Sequence, residues 1–217
     1  MKFSLIKEFN KLDILVIGDI MLDQYWNVDV NRISSEAPIA ISKFNYSFNK
    51  LGGAANVALN LSNLGVKTEL FGITGNDSES RILISILNKK KIKYSILKSN
   101  KLKTIKKLRI FSGHQQINRL DFDDDLSVVS HKSLINKFSK KIKSCDAVLF
   151  SDYSKGTLIN CRELIKLVKK QNKLILIDPK GLDFEKYKNA SFLKPNLNEF
   201  ELVVGKLKSN RDFKNKA

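Results

Sequence analysis

Cysteine is nearly absent from this chain: Cys145 and Cys161 are the only two among 217 residues. Such a pair builds neither a disulfide framework nor the ligand spacing of a metal site, so a reducing, cytoplasmic setting is the economical expectation. Long apolar runs are missing too. Nothing approaches the ~18 apolar residues of a membrane helix. The short run at 14–17 reads as a strand rather than the heart of a signal peptide, and no membrane partner is expected. Neither Gly-x-Gly-x-x-Gly nor Gly-x4-Gly-Lys-Ser/Thr occurs, which disfavours a dinucleotide fold and a P-loop. With no repeat and no low-complexity linker, the length suits one α/β domain with a sizeable core and a small appendage.

Acidic residues are also scarce, 22 against 39 Lys and Arg, for a formal net charge of +17. That balance raises the question of nucleic acid. The lysines, however, lie in almost every segment and accompany many Asn and Ile, as a compositional bias would place them. No nucleic-acid partner is expected.

What is present centres on Gly52-Gly53-Ala54-Ala55-Asn56-Val57-Ala58. Adjacent glycines remove side chains where another group must approach the backbone. A small-residue helix then begins at once, with Val57, Leu61 and Leu64 as its expected apolar stripe and Gly65 as its terminator. The free N–H groups of its first turn suit polar or anionic ligand atoms, although a tight turn before a core helix has the same sequence needs.

Upstream, residues 12–17 form a nearly continuous apolar run, as in a parallel strand buried on both faces, and end in Gly18-Asp19. Residues 25–50 change to period-two alternation, through Trp26, Val28 and Val30, then Phe44, Tyr46 and Phe48. This reads as a small antiparallel sheet inserted before the glycine helix. Alternation returns at 104–121, a hairpin turning at 112–114, and the two pieces are expected to form one lid. Thr68 to Ile73 reads as a strand and 77–90 as a helix. From 146 onward strands and helices alternate, with helices at 158–170 and 198–204. The acidic run 121–125 reads as a solvated loop. The whole implies an open parallel sheet covered by helices on both faces.

Asp19, Asp152, Asp178 and Asn196 each follow the carboxyl end of an expected parallel strand, the edge at which open α/β sheets bind ligands. One such Asp is commonly a cap or turn residue; several on one edge point to a polar ligand site.

The glycine stretch, followed after six residues by Gly65 and after nine more by Gly75, resembles the first signature of the ribokinase-like (PfkB) sugar kinases. The blocks at 18–26, 32–38, 151–156 and 177–181 resemble the heptose 7-phosphate kinases of that family, which in bifunctional members are joined to a heptose 1-phosphate adenylyltransferase. The resemblance covers nearly the whole chain. It implies ATP and Mg2+ as cofactors, a small sugar phosphate as substrate and a homodimer joined through the lid. By position it implies sugar-binding roles for Asp23, Gly52, Gly53, Asn56 and Asp152. It places Lys107 and Arg109 on the lid, where two cations on one strand face suit a phosphorylated substrate and a solvated lysine-rich strand is the rival reading. Asn196-Leu197-Asn198-Glu199 resembles the family's Asn-x-x-Glu motif for the ATP phosphates, with Asp178 and Lys180 nearby and Glu199 meeting magnesium through water; a helix cap explains the same four residues.

One departure stands out. The family deprotonates the attacking hydroxyl with an Asp in a Gly-Ala-Gly-Asp segment, and the 217 residues contain no such segment. The resemblance therefore implies an incomplete kinase domain over 1–217, lacking its C-terminal part, with no catalytic base and no adenylyltransferase domain. Impaired transfer, a sugar-phosphate-binding module without turnover, and a kinase of another sugar phosphate are the competing expectations.

Overall fold

The computed structural model describes residues 8–216. In chain order the elements are β1 (Asp13–Gly18), β2 (Ile20–Ile33), β3 (Ala40–Gly53), α1 (Ala54–Asn63), β4 (Lys67–Gly75), α2 (Ser78–Lys89) and β5 (Lys93–Ser99). They continue through β6 (Lys106–Ser112), β7 (Gln115–Phe122), α3 (Lys132–Lys141), β8 (Ala147–Ser151), α4 (Cys161–Lys169), β9 (Leu174–Asp178), β10 (Phe192–Leu193), α5 (Leu197–Val204) and α6 (Asn210–Lys216).

Six parallel strands make the main sheet in the order β10-β9-β8-β1-β4-β5. The apolar run of β1 serves both faces of it. Leu15 and Ile17 join Phe71, Val148 and Phe150 under α3 and α4, whose Leu134, Phe138, Leu164 and Val168 are buried. Val16 joins Leu70 on the opposite face, under Ala54, Ala55 and Ala58 of α1 and Leu83 and Leu87 of α2. Full burial of each large side chain contributes about 1.5–3 kcal/mol.

The expected stripe of α1 is corrected by this packing. The helix buries its alanines, Val57 and Leu61 are only partly covered, and Leu64 is exposed. Small side chains let α1 lie against β4, β3 and β1, so the helix rolls its alanine face inward. It ends as expected at Gly65, whose N–H donates to Ser62 O at 3.0 Å while Val66 N–H donates to Leu61 O at 3.1 Å, satisfying the last carbonyls. The helix placed at 158–170 begins only at Cys161.

The lid is a second, four-stranded sheet, β3-β2-β6-β7. Its hairpins β2–β3 and β6–β7 are antiparallel, but the strands that join them, β2 and β6, run parallel with Asp23 beside Lys107 and Tyr25 beside Arg109. The expected all-antiparallel lid is therefore a mixed one. Both β2 and β6 leave the main domain at its carboxyl edge and travel outward, so they must run the same way.

Candidate functional site

The buried centre of the carboxyl edge is Asp19, the single residue between β1 and β2. It is 0% exposed, and its carboxylate accepts three backbone N–H groups: Tyr153 at 2.8 Å, Lys155 at 3.1 Å and Thr157 at 3.0 Å. Asp19 thus shapes the loop after β8 rather than facing a ligand. Burial raises its carboxyl above the ordinary range, and the three N–H groups act against that rise. Its own carbonyl accepts Ala54 N–H at 2.9 Å, tying the start of α1 to the same point.

Gly52 and Gly53 earn their lack of side chains differently. Gly53, the residue before α1, has φ +55°, and a Cβ there would stand 2.3 Å from Asp19 O. A Cβ on Gly52 would come within 2.9 Å of the Asp23 carboxylate. Gly52 therefore lets Met21 and Asp23 of β2 pack directly against the β3 backbone. Asn56, in the first turn of α1, is exposed.

On the lid, Asp23 and Arg109 form an ion pair, Nη1 to Oδ1 at 2.7 Å, with side chains 21% (Arg109) and 17% (Asp23) exposed. Aromatic rings carry the neighbouring cations. Tyr25 stacks on Phe48 at 4.8 Å, with the Arg109 guanidinium 5.4 Å and the Lys50 ammonium 5.0 Å from the Tyr25 centroid. Lys107 reaches off the lid altogether, its Nζ 5.8 Å from the ring centroid of Tyr153 on the main domain.

Asp152 follows β8 and is occupied internally. Its Oδ1 accepts Ser154 N–H at 2.6 Å, and its Oδ2 accepts the Tyr187 hydroxyl at 2.7 Å and Lys186 Nζ at 2.8 Å. Lys180 and Asp178 lie one strand over. Lys180 Nζ pairs with Glu199 at 2.8 Å, and Lys194 Nζ pairs with Asp178 at 2.9 Å. Asn196 and Glu199 form a reciprocal capping box at the start of α5: Asn196 Oδ1 accepts Glu199 N–H at 2.9 Å and Glu199 Oε2 accepts Asn196 N–H at 3.0 Å. The helix-cap reading of these four residues is therefore realised. Leu197 is exposed on the first turn, as is Asn198.

The structure thus gathers Asp23, Gly52, Lys107 and Arg109 at the lid root and Asp178, Lys180, Asn196 and Glu199 at the far end of the edge. Tyr153 sits between, half-buried; burial first, then the carboxylates of Asp178 and Asp23, raise its hydroxyl above the ordinary range. Sequence reasoning left Tyr153, Lys194 and Tyr187 without roles, although Tyr153 stood beside Asp152 in a segment already singled out. Among the described residues no three His, Cys, Asp or Glu side chains converge as a metal cage, and no helix is long and apolar enough to cross a membrane.

An open parallel sheet with its polar edge under a small β lid defines the ribokinase-like kinase fold. Solved structures agree: a carbohydrate kinase from Agrobacterium tumefaciens superposes with a TM-score of 0.74 at 16% identity, over 94% of this chain and 67% of that one. Arabidopsis thaliana ribokinase complexed with ribose and ATP gives 0.71 at 16% identity, over 94% and 67%. Residues 11–217 match the pfkB family carbohydrate kinase profile, and the chain belongs to that family. Curated relatives include the bifunctional protein HldE of Histophilus somni, 42% identical over 210 residues, and HldE of Pasteurella multocida, 43% identical over 211 residues. In both cases the match covers 97% of this chain and 44% of the relative, so the chain spans less than half the length of either protein.

Proposed function

We propose that residues 1–217 form the sugar-phosphate-recognising part of a PfkB-type kinase domain that transfers the ATP γ-phosphate to the anomeric hydroxyl of heptose 7-phosphate, on the route to ADP-heptose and the lipopolysaccharide core. The observation that carries this reading is the lid face, where Asp23, Lys107 and Arg109 stand together and Gly52 packs against the Asp23 carboxylate without a side chain. A carboxylate there suits sugar hydroxyls, and two cations suit a phosphate already on the sugar. Gly53 and Asn56 complete the sugar side at the start of α1, and Asp152 supports the loop between. The similarity to proteins named HldE favours heptose over other sugars.

Asp178, Lys180 and the segment Asn196, Leu197, Asn198 and Glu199 form the ATP side. Their fit to magnesium is limited and specific: Asp178 and Glu199 each already pair with a lysine, so the ion would meet Glu199 through water and take its other oxygens from phosphate and solvent. Magnesium, when bound, neutralises phosphate charge. Lys180 and Lys194 are placed to exchange their carboxylates for phosphate oxygens. A cytoplasmic setting and a homodimer joined through the lid belong to the same proposal.

A second reading has its own observation. The transfer step needs a general base, worth ~10²–10⁴-fold, and no Gly-Ala-Gly-Asp segment occurs in these residues. For the chain by itself, binding without turnover follows. Calorimetry with heptose 7-phosphate, unphosphorylated heptose and hexose 6-phosphates, paired with phosphorus NMR of the heptose 7-phosphate sample with magnesium-ATP, tests both. Preference for heptose 7-phosphate supports the site assignment; equal affinity for all three sugars overturns it. Formation of heptose 1,7-bisphosphate would overturn the second reading.

A further inference from the structure

We infer that Tyr153 is the floor of the sugar-phosphate site, taking the apolar face of the sugar on its ring and holding Lys107 where it reads the phosphate. The inference rests on the sugar-phosphate reading of that site and assigns specificity to a residue the resemblance left silent.

Four observations converge on it. Tyr153 follows β8 in the middle of the carboxyl edge, flanked in the sheet by the ends of β1 and β9: Asp19 N–H donates to Ser151 O, and Asp152 N–H donates to Asp178 O at 3.0 Å. Its backbone is fixed independently of its side chain, because the N–H is held at 2.8 Å by the fully buried Asp19. The ring is half-buried against the core, so it presents an aromatic surface rather than a free-swinging side chain. Lastly, Lys107 stands 5.8 Å from its centroid although the lysine belongs to the lid and the tyrosine to the main domain.

That last contact differs from its neighbours in kind. Lys50 and Arg109 rest on Tyr25, a ring of their own sheet, and would keep their places if the lid shifted. Lys107 keeps its place only while lid and loop keep theirs. An aromatic face beside a cation suits a sugar phosphate, since the ring offers the sugar an apolar surface and steadies the cation without neutralising it. A carboxylate partner, such as Asp23 beside Arg109, offsets part of the charge that a phosphate would meet. Tyr153 holds Lys107 and leaves its charge available.

The test is calorimetric titration of the full chain with heptose 7-phosphate and with unphosphorylated heptose. The unaltered chain is compared with Tyr153→Phe, Tyr153→Leu, Lys107→Met and the Tyr153→Leu/Lys107→Met double variant. Tyr153→Phe should bind within about twofold of the unaltered chain. Tyr153→Leu should weaken heptose 7-phosphate by roughly five- to thirtyfold, the range a desolvated cation–aromatic contact supports, and the free sugar by less. The double variant should lose less than the two single losses multiplied together, because both remove one contact. Ring resonances of carbon-13-labelled Tyr153 in the unaltered chain should move on saturation, a readout that needs no variant to fold. Unchanged affinity in Tyr153→Leu, or static ring resonances in a chain that binds, overturns this inference and leaves the proposed function standing. No binding of heptose 7-phosphate by the unaltered chain overturns both.

Discussion

Arg109 donates to Asp23 across 2.7 Å although the two are 86 residues apart, and this pair fastens β6 to β2 at the root of the lid. Burial disfavours the guanidinium charge there, while the hydrogen bond to Asp23 favours it, and the net effect raises Arg109 above its ordinary range. Neither partner is exposed enough for water to replace the other fully.

Removing one partner should therefore cost more than a surface pair would. Arg109→Met is expected to lower stability by about 1–3 kcal/mol in urea unfolding, because it leaves the Asp23 carboxylate unpaired. Arg109→Lys should recover part of that and still bind sugar phosphate more weakly, since an ammonium cannot offer two donors in a fixed fork.

Gly52 and Gly53 should respond to alanine to different degrees. Gly53→Ala places a Cβ 2.3 Å from Asp19 O at φ +55°, and is expected to prevent folding, read as loss of soluble chain and of a cooperative melt. Gly52→Ala meets Met21 Cγ at 2.7 Å and the Asp23 carboxyl at 2.9 Å, so a buried side chain and an ion-paired one must both shift. It should still melt cooperatively, at a lower temperature for an overpacking cost of about 1–3 kcal/mol, and lose sugar-phosphate affinity because Asp23 is displaced. Equal melting temperatures for the two variants would contradict this division.

Asp19→Asn should destabilise by about 1–3 kcal/mol, since the amide oxygen can keep the Tyr153 and Lys155 N–H groups now on Oδ2 while the NH2 faces the Thr157 N–H now on Oδ1. The acid titration carries a sign. The folded carboxyl lies above its ordinary 3.8, so the unfolded chain loses this proton first. The contribution of Asp19 is full below 3.8, falls as pH rises through the folded value, and is constant beyond it.

Glu79 should show the reverse. In the first turn of α2 it accepts the Ser78 hydroxyl at 2.7 Å and Lys106 Nζ of β6 at 3.0 Å, bonds that lower its carboxyl from 4.5 to about 2. The stability it adds is present above 4.5 and is lost as pH falls toward about 2. Glu79→Gln should flatten the acid side of the stability curve by about 1–2 kcal/mol between pH 5 and pH 2, screening included. An unchanged acid slope would refute it.

The sequence carried the sheet well because β1, β4 and β8 are short apolar runs with polar residues at one end, a pattern that only doubly covered strands need. It carried the lid as strands but not their direction. Period-two alternation in β2 and β6 reads the same for parallel and antiparallel neighbours, and the direction depends on where the chain re-enters after β5. The elements β5 and α3 left little trace. In β5, Lys93 is exposed and the remaining residues are only half-covered, except the exposed Lys98, while α3 hides only Leu134 and Phe138 among lysines. At the site, Asp19 was legible as an edge carboxylate but not as a loop organiser. Its partners are backbone N–H groups more than 130 residues away, which no side-chain pattern announces. Asp152 was hidden likewise by Lys186 and Tyr187, and Glu199 by Lys180.

The lid has almost no slack where it joins the body. One residue, Asp19, separates β1 from β2, and β3 runs straight into α1 with none between. Two strands of 14 residues, about 45 Å long at ~3.3 Å per residue, are thus rooted where Asp19 touches Gly53, with Ile20, Leu22 and Leu51 at their bases buried in the core under α1 and α2. Such a lever multiplies angle into travel: a tilt too small to disturb the Asp19 hydrogen bonds sweeps the far tip through several ångströms while scarcely displacing Asp23. Motion of this lid would gate entry at its rim and leave the recognition chemistry at its base in register.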